Sequence, residues 1–363
     1  MNQDIEQDMA NDSIANDADN APIYRGSTEN VPPGTMCMAN ASRFVESNFN
    51  VPLTTFATGW KDPNRIDLAL EFVAPMVSVG RFFTFIQSTN AEEFISEVDD
   101  TRGIGADFKR VEYTSTKQTS QTINKGLTIR IDKDEVNDLP NFQEIYTGRM
   151  MRRLLRNELR RSIAVLGAAA VAYGGSGADL NPRQLTWTQT PGTDPDQDLI
   201  DATDRYADGA GIYPTRALFS KVAWNARLRA FRGNNNPGGY QNANMTEQQV
   251  ADFLGLDGVY VSKERYTTGT RLAPTKAAVM GQGIAAGIPA NTNPVLLYLA
   301  EAGQTPEDPS NIKRFVSATE GGTPFRVYVE QKGAKFIEIT VEHYSCIIAT
   351  STLGVQLLNI ALV

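Results

Sequence analysis

The chain has 363 residues, 41% hydrophobic and 21% charged, enough for two or three domains with a sizeable core. Two distant cysteines, Cys37 and Cys346, give neither a disulfide framework nor a zinc spacing, and a single histidine, His343, all but excludes histidine triads, relays and multi-histidine metal sites. A net charge of −8 argues against a nucleic-acid reader working by bulk charge, and with no long apolar run and no basic-then-apolar start, neither a membrane span nor a secretory signal is expected.

Residues 1–43 read as an arm. Asp4, Glu6, Asp8, Asp12, Asp17 and Asp19 lie in its first twenty residues, with no lysine or arginine among them. Pro22, Pro32 and Pro33 follow, and so little apolar surface cannot offset the ordering entropy of the segment by itself. Residues 44–92 read as a packed connection with a short helix, cut by Pro75, and a strand in RFFTFI. Residues 93–132 read as an extended β-hairpin. Its centre, TSTKQTSQT, is polar on both faces, whereas Leu127, Ile129 and Ile131 alternate near its end. A two-stranded ribbon of that kind is marginal alone in water and needs a neighbour, another subunit included.

From Asn141 to Tyr173 the sequence predicts one long helix, with Met151, Leu155, Leu159, Ile163, Leu166 and Ala170 on one stripe. Pro140, Asn141 and Glu144 signal its start, and Gly174, Gly175 and Gly177 its stop. It reads as a spine across which two β-rich regions are laid. After a loop to Pro195 with a short strand at Leu185 to Thr188, residues 196–291 alternate helix and strand as an α/β domain. Its third helix starts at a capping box formed by Thr246 and Gln249. Residues 292–363 are strand-like runs separated by turns.

Three features invite chemistry. Gly281-Gln282-Gly283 follows the strand-like AAVM and matches a dinucleotide-binding turn, with Glu301 twenty residues past Gly281, but Gly287 and Pro289 stop any helix that should hold the pyrophosphate. His343 lies in a strand-like run with no nucleophile motif in sequence, so a structural histidine is favoured over a general base. Asp132, Asp134 and Glu135 only partly resemble an ion-binding loop and read as a solvated turn. The more informative charge feature is a stripe of Arg149, Arg152, Arg153, Arg156 and Arg160, with Arg161 nearby, against one helix acid, Glu158. Pairing within the helix cannot neutralise it, so its partners are acids of the same fold, acids of a neighbouring subunit, or phosphates, with protein favoured.

The succession of arm, polar hairpin ending in NKGLTIRIDKDEV, long helix, DLIDATDRYADGAGIYPTRALFS, AWNARLRAF, TEQQVADFLGLDGVYVSKERY, glycine loop and β-rich ending resembles the major capsid proteins of tailed bacteriophages. The resemblance covers about Phe94 to Ile360 and implies an α+β fold of the Hong Kong 97 type. Its parts would be a spine helix with a peripheral domain over 133–195, an extended loop over 93–132 and an α/β axial domain over 196–291, with residues 292–363 completing both. It implies a non-enzymatic subunit that needs no catalytic residue, metal or cofactor. Pentamers and hexamers would close an icosahedral shell around double-stranded DNA, in the virion after assembly in the host cytoplasm. Lys109, Arg110, Lys117 and Lys125 on the extended loop would contact neighbours, and Arg149, Arg152, Arg153, Arg156 and Arg160 would face another subunit or the genome. A few members cross-link covalently through a loop lysine; nothing in this sequence supports that reaction at Lys117 or Lys125. The segment ahead of the hairpin is short for a built-in scaffolding domain, so a separate scaffolding protein is expected, together with a portal and a decoration protein. The rival readings are a nucleotide-binding α/β enzyme using the Gly281/Gly283 loop and a tail-tube or portal-like structural protein.

Overall fold

The computed structural model describes residues 48–87, 101–102, 107, 116–174, 181–190, 193–233, 241–267, 273–281, 292–301, 305, 310–317 and 324–361. The expected arm, Lys109, Arg110 and Gly283 lie outside them. The connection holds two helices where the sequence suggests one: α1, Val51–Gly59, and α2, Ile66–Val73. Asn50 caps α1, its side chain accepting from the Leu53 amide at 2.9 Å, and Pro52 fits the first turn, where no amide donor is needed. Helix α2 buries Ile66, Ala69, Leu70 and Val73 on one side.

The first sheet is organised around β13, Phe336–Ile348. Along one edge it carries β4, Ile123–Asp132, and along the other β12, Phe325–Lys332, followed by β11, Lys313–Ser317, all antiparallel. Strand β1, Met76–Val79, adds to β11 in parallel. Here the structure corrects the hairpin expected over 93–132. Residues 123–132 do not turn back on their predecessors but register with β13 from Ile123 opposite Ser345 to Asp132 opposite Phe336. The alternation supplies the reason: Leu127, Ile129 and Ile131 face an apolar cluster, a face that a free ribbon would leave in water. The ribbon is formed instead by β2, Phe82–Gln87, and β3, Thr116–Gln121, antiparallel from Phe82 opposite Gln121 to Gln87 opposite Thr116. Asp132 caps the short helix α3, Lys133–Val136, by accepting from the Asp134 amide at 3.0 Å.

Helix α4, Phe142–Tyr173, runs for 32 residues, about 48 Å at the usual rise. Asn141 stands at its start but its side chain makes no capping hydrogen bond, a departure from the expected cap. The stripe from Met151 to Ala170 is buried as the periodicity predicts. Its first part, with Met150 and Leu154, packs on Leu53 and Ala57 of α1 and on Ile131, Val327, Ile339 and Val341 of the first sheet. From Leu155 onward it packs on α2 and on Leu218, Leu296, Tyr298 and Leu357. One helix face therefore serves two sheets in succession.

The second sheet has the order β5, Arg183–Thr186; β14, Gln356–Ala361; β10, Thr292–Tyr298; β6, Arg216–Ser220; β7, Gly258–Ser262. It draws strands from both flanks of residues 196–291, so the α/β unit is not contiguous in sequence. Helices α5, Pro195–Ala210, α6, Lys221–Gly233, and α7, Glu247–Leu254, accompany it. The capping box of Thr246 and Gln249 is formed as expected. Between α5 and α6 the fully buried Arg227 grips Asp196 with two hydrogen bonds of 2.6 and 2.8 Å, between the rings of Trp224 and Phe231. A small ribbon pairs β8, Arg265–Thr267, with β9, Lys276–Ala278, so the strand expected over AAVM is shorter than its apolar run. No helix among the described residues is long and apolar enough to cross a membrane.

Candidate functional site

Strand β2 anchors the ribbon on one face only. Phe83 and Phe85 are buried against Phe315 of β11, with ring centroids 4.4 and 5.8 Å from it, whereas Phe82 is 68% exposed. Beyond β2, every residue of β3 but Ser120 is exposed, Lys117 included. Among the described residues β3 pairs with β2 alone. Both faces of β3 are polar.

Lys125 does not belong to that ribbon, which corrects its assignment as a loop contact. It sits on β4, 16% exposed, and its ammonium donates to Glu158 Oε1 at 2.9 Å and to Ser345 Oγ at 3.0 Å. Lys125, Leu127, Ile129 and Ile131 share one face of the strand, so the lysine points where the leucine and isoleucines point.

The arginine stripe is likewise met largely from within the chain. Arg152 donates to the buried Asp62 at 2.9 Å, Arg156 stands 3.3 Å from Glu264, and Arg160 stacks over Tyr266 at 4.3 Å. For these three, acids of the same fold and a ring supply partners, from the α1–α2 connection and from the start of the β8 ribbon, while their side chains stay partly exposed. Arg149 stacks on Tyr146 of its own helix and is exposed, as is Arg153.

Glu158, met in the sequence only as the lone acid among arginines, is the centre of the helix-to-sheet junction. It is 2% exposed and accepts from Lys125, from Arg161 at 2.7 Å and from Ser345 Oγ at 3.0 Å. His343 Nε2 lies 3.6 Å away. Burial alone would raise its pKa, but the imidazole of His343 and the ammonium of Lys125 outweigh that and hold the carboxyl well below the usual carboxylate range. On β13 the inward row runs Ile339, Val341, His343, Ser345, turning from apolar to polar where it meets Glu158. The arrangement is a charge clamp between α4, β4 and β13, with His343 a member of it. The sequence offered one signal for it: an acid at the edge of a buried helical stripe.

Gly281 follows β9, whose partner is the antiparallel β8. That is not the carboxyl end of a parallel strand, where a dinucleotide's pyrophosphate meets a helix. Two buried asparagines also escaped the sequence reading. Asn181 donates to the carbonyls of Ala170 and Val355 at 2.7 Å and accepts from the Leu357 amide at 2.8 Å, tying the end of α4 to β14. Asn311 accepts from Tyr206 and the Leu299 amide and donates to the carbonyls of Ser351 and Leu353.

No protein-family model matches the sequence, and no curated protein matches it. Solved structures do. A phage-related protein from Bordetella bronchiseptica RB50 is similar with a TM-score of 0.59 at 16% identity, over 85% of this chain and 96% of that one. Gordonia phage Cozz matches with a TM-score of 0.43 at 11% identity, over 93% and 98% of the two chains. The capsid structure of the cyanophage P-SCSP1u matches with a TM-score of 0.42 at 11% identity, over 80% and 86%. By the first of these, the chain has the fold of a phage-related protein.

Proposed function

We propose that this chain is the major capsid protein of a tailed phage, a non-enzymatic subunit whose copies close into an icosahedral shell around double-stranded DNA. The observation that carries this reading is the β2–β3 ribbon: two strands anchored by Phe83 and Phe85, with a polar outer strand that, among the described residues, pairs with β2 alone and stays exposed. Such a ribbon is stabilised when a neighbouring copy lies under or beside it. The fold shared with a phage-related protein supports the same conclusion. In this reading α4 and the first sheet make the peripheral domain, the second sheet with α5, α6 and α7 makes the axial domain, and Lys117 on the ribbon meets the adjacent subunit. Many modest interfaces repeated in closed symmetry then sum to a stable container.

A separate scaffolding protein, a portal and a decoration protein are the expected partners, with assembly in the host cytoplasm and residence in the virion. Electron microscopy of the purified chain, alone and with its phage's scaffolding protein, tests the proposal. Closed shells of pentamers and hexamers are expected. Open tubes or single rings would instead assign a tail-tube or portal role, and a strict monomer under every salt and scaffold condition would end the reading.

A further inference from the structure

Helices α5 and α6 pack on the same side of the second sheet, where Leu199 and Ala202 share one apolar cluster with Ala223, Trp224, Ala226 and Ala230. The faces they turn away from that cluster carry opposite charge. On α5, Gln197, Asp201, Asp204 and Asp208 recur at steps of four, three and four, which sets them in one row down the helix. On α6, Lys221, Asn225, Arg229 and Arg232 recur at steps of four, four and three. Each row is about 16 Å long. Asp204, Asp208, Lys221, Arg229 and Arg232 are exposed, and among the described residues neither they nor Asp201 form an ion pair. The segregation extends along the chain. Residues 194–208 hold six acids and one base, Arg205, which lies to one side of the row, whereas residues 209–246 hold five bases and no acid.

The helices themselves do not call for this placement. Asp196 and Asp198 complement the positive start of α5, but Asp208 stands in its last turn, beside the negative end. Lys221 is the first residue of α6, beside its positive end. Each is set against its own helix dipole, and among the described residues no ion pair offsets it. Other occupants suit one row and not the other. A polyanion drawn to α6 meets the carboxylates of α5 on the same side of the sheet, and no group of three acids, cysteines or histidines among the described residues is placed to hold a metal ion. A surface that offers both signs in rows of equal length is matched by the same surface on another copy of the chain.

We propose that α5 of one copy docks on α6 of another, with Asp201, Asp204 and Asp208 meeting Lys221, Arg229 and Arg232 across the boundary. The inference rests on the shell reading and adds to it which faces of the α/β unit meet.

The test uses the full-length chain and two charge-reversed variants, Asp204→Lys with Asp208→Lys, and Lys221→Glu with Arg229→Glu. All four positions are exposed, and the changes at 208 and 221 remove charges that oppose their helix dipoles, so folded subunits are expected by circular dichroism. Assembly is followed by sedimentation. Each variant alone is expected to raise the protein concentration at half-assembly by about tenfold or more, since like charges then face each other. The chain carrying all four changes, and an equal mixture of the two variants, are expected to assemble several-fold more readily than either variant alone, because opposite signs meet again. Variants that assemble like the unsubstituted protein, or a loss that neither the combined chain nor the mixture reverses, overturn the contact and leave the shell reading standing. An unsubstituted chain that never assembles overturns both.

Discussion

Strands β3 and β4 are separated by one residue, Thr122, yet one stands on a ribbon and the other is built into the body. Both are rich in polar residues, so hydrophilicity does not divide them. In β3, Thr116 to Gln121 offers no apolar face, and among the described residues it pairs with β2 alone. In β4, every second residue from Lys125 to Ile131 points inward; three of them are apolar and the fourth meets a buried carboxylate. A strand joins the core when its period-two face finds both grease and, for any charge on that face, a counter-charge.

The largest way to break this comparison is to remove the counter-charge. Glu158→Ala leaves Lys125 and Arg161 without their carboxylate, and breaking a buried pair from one side costs about 3–5 kcal/mol. Urea unfolding followed by circular dichroism should show that loss; a change under about 1 kcal/mol would mean that β4 is held by its apolar face alone. The same clamp sets a pH dependence. The folded pKa of Glu158 lies below its unfolded value of about 4.3, so its stabilisation is fully present above that pH and is lost as pH falls below it towards the folded value. The unfolding midpoint should therefore drop through this acid window, and Glu158→Gln should flatten the slope.

Next in size is the anchor of the ribbon. Phe315 is fully buried against Phe83 and Phe85, and truncating such a ring costs about 3–5 kcal/mol, at the lower end here if β2 collapses onto the gap. Phe315→Ala should accelerate amide hydrogen exchange in β2 and β3 more than in β4, which pairs with β13 on the far edge. Equal acceleration in all three would show that ribbon and body open as one unit.

Local periodicity made much of this architecture legible. The 3.6-residue stripe gave α4 and its buried side, the Thr246 capping box gave α7, and alternation gave the strands after residue 292. Pairing was not legible, because the partner of β4 is β13, far along the chain, and nothing local distinguishes it from a hairpin mate. The same limit explains the charged residues. Exposure of Lys117 follows from a strand that carries no apolar residue of its own, but Lys125 owes its burial to Glu158, and Arg152 owes its partner to a loop ninety residues earlier. Helix spacing places arginines on a face; only tertiary packing decides which acids that face meets.

The smallest expected effect on stability is the sharpest on function. Lys117 and Thr119 lie opposite Ile86 and Thr84 on β3, exposed and without core contacts. Lys117→Glu with Thr119→Asp should change the unfolding free energy of the isolated subunit by no more than about 0.5 kcal/mol, the usual range for surface substitutions. If β3 is covered by a neighbour, the same pair places two negative charges into every copy of a repeated interface, where like-charge contacts cost several kcal/mol. Shell yield measured by sedimentation should then collapse while the subunit remains folded. Intact shells from this variant would mean that the polar strand is merely solvated, and the contrast between β3 and β4 would reduce to burial without any consequence for assembly.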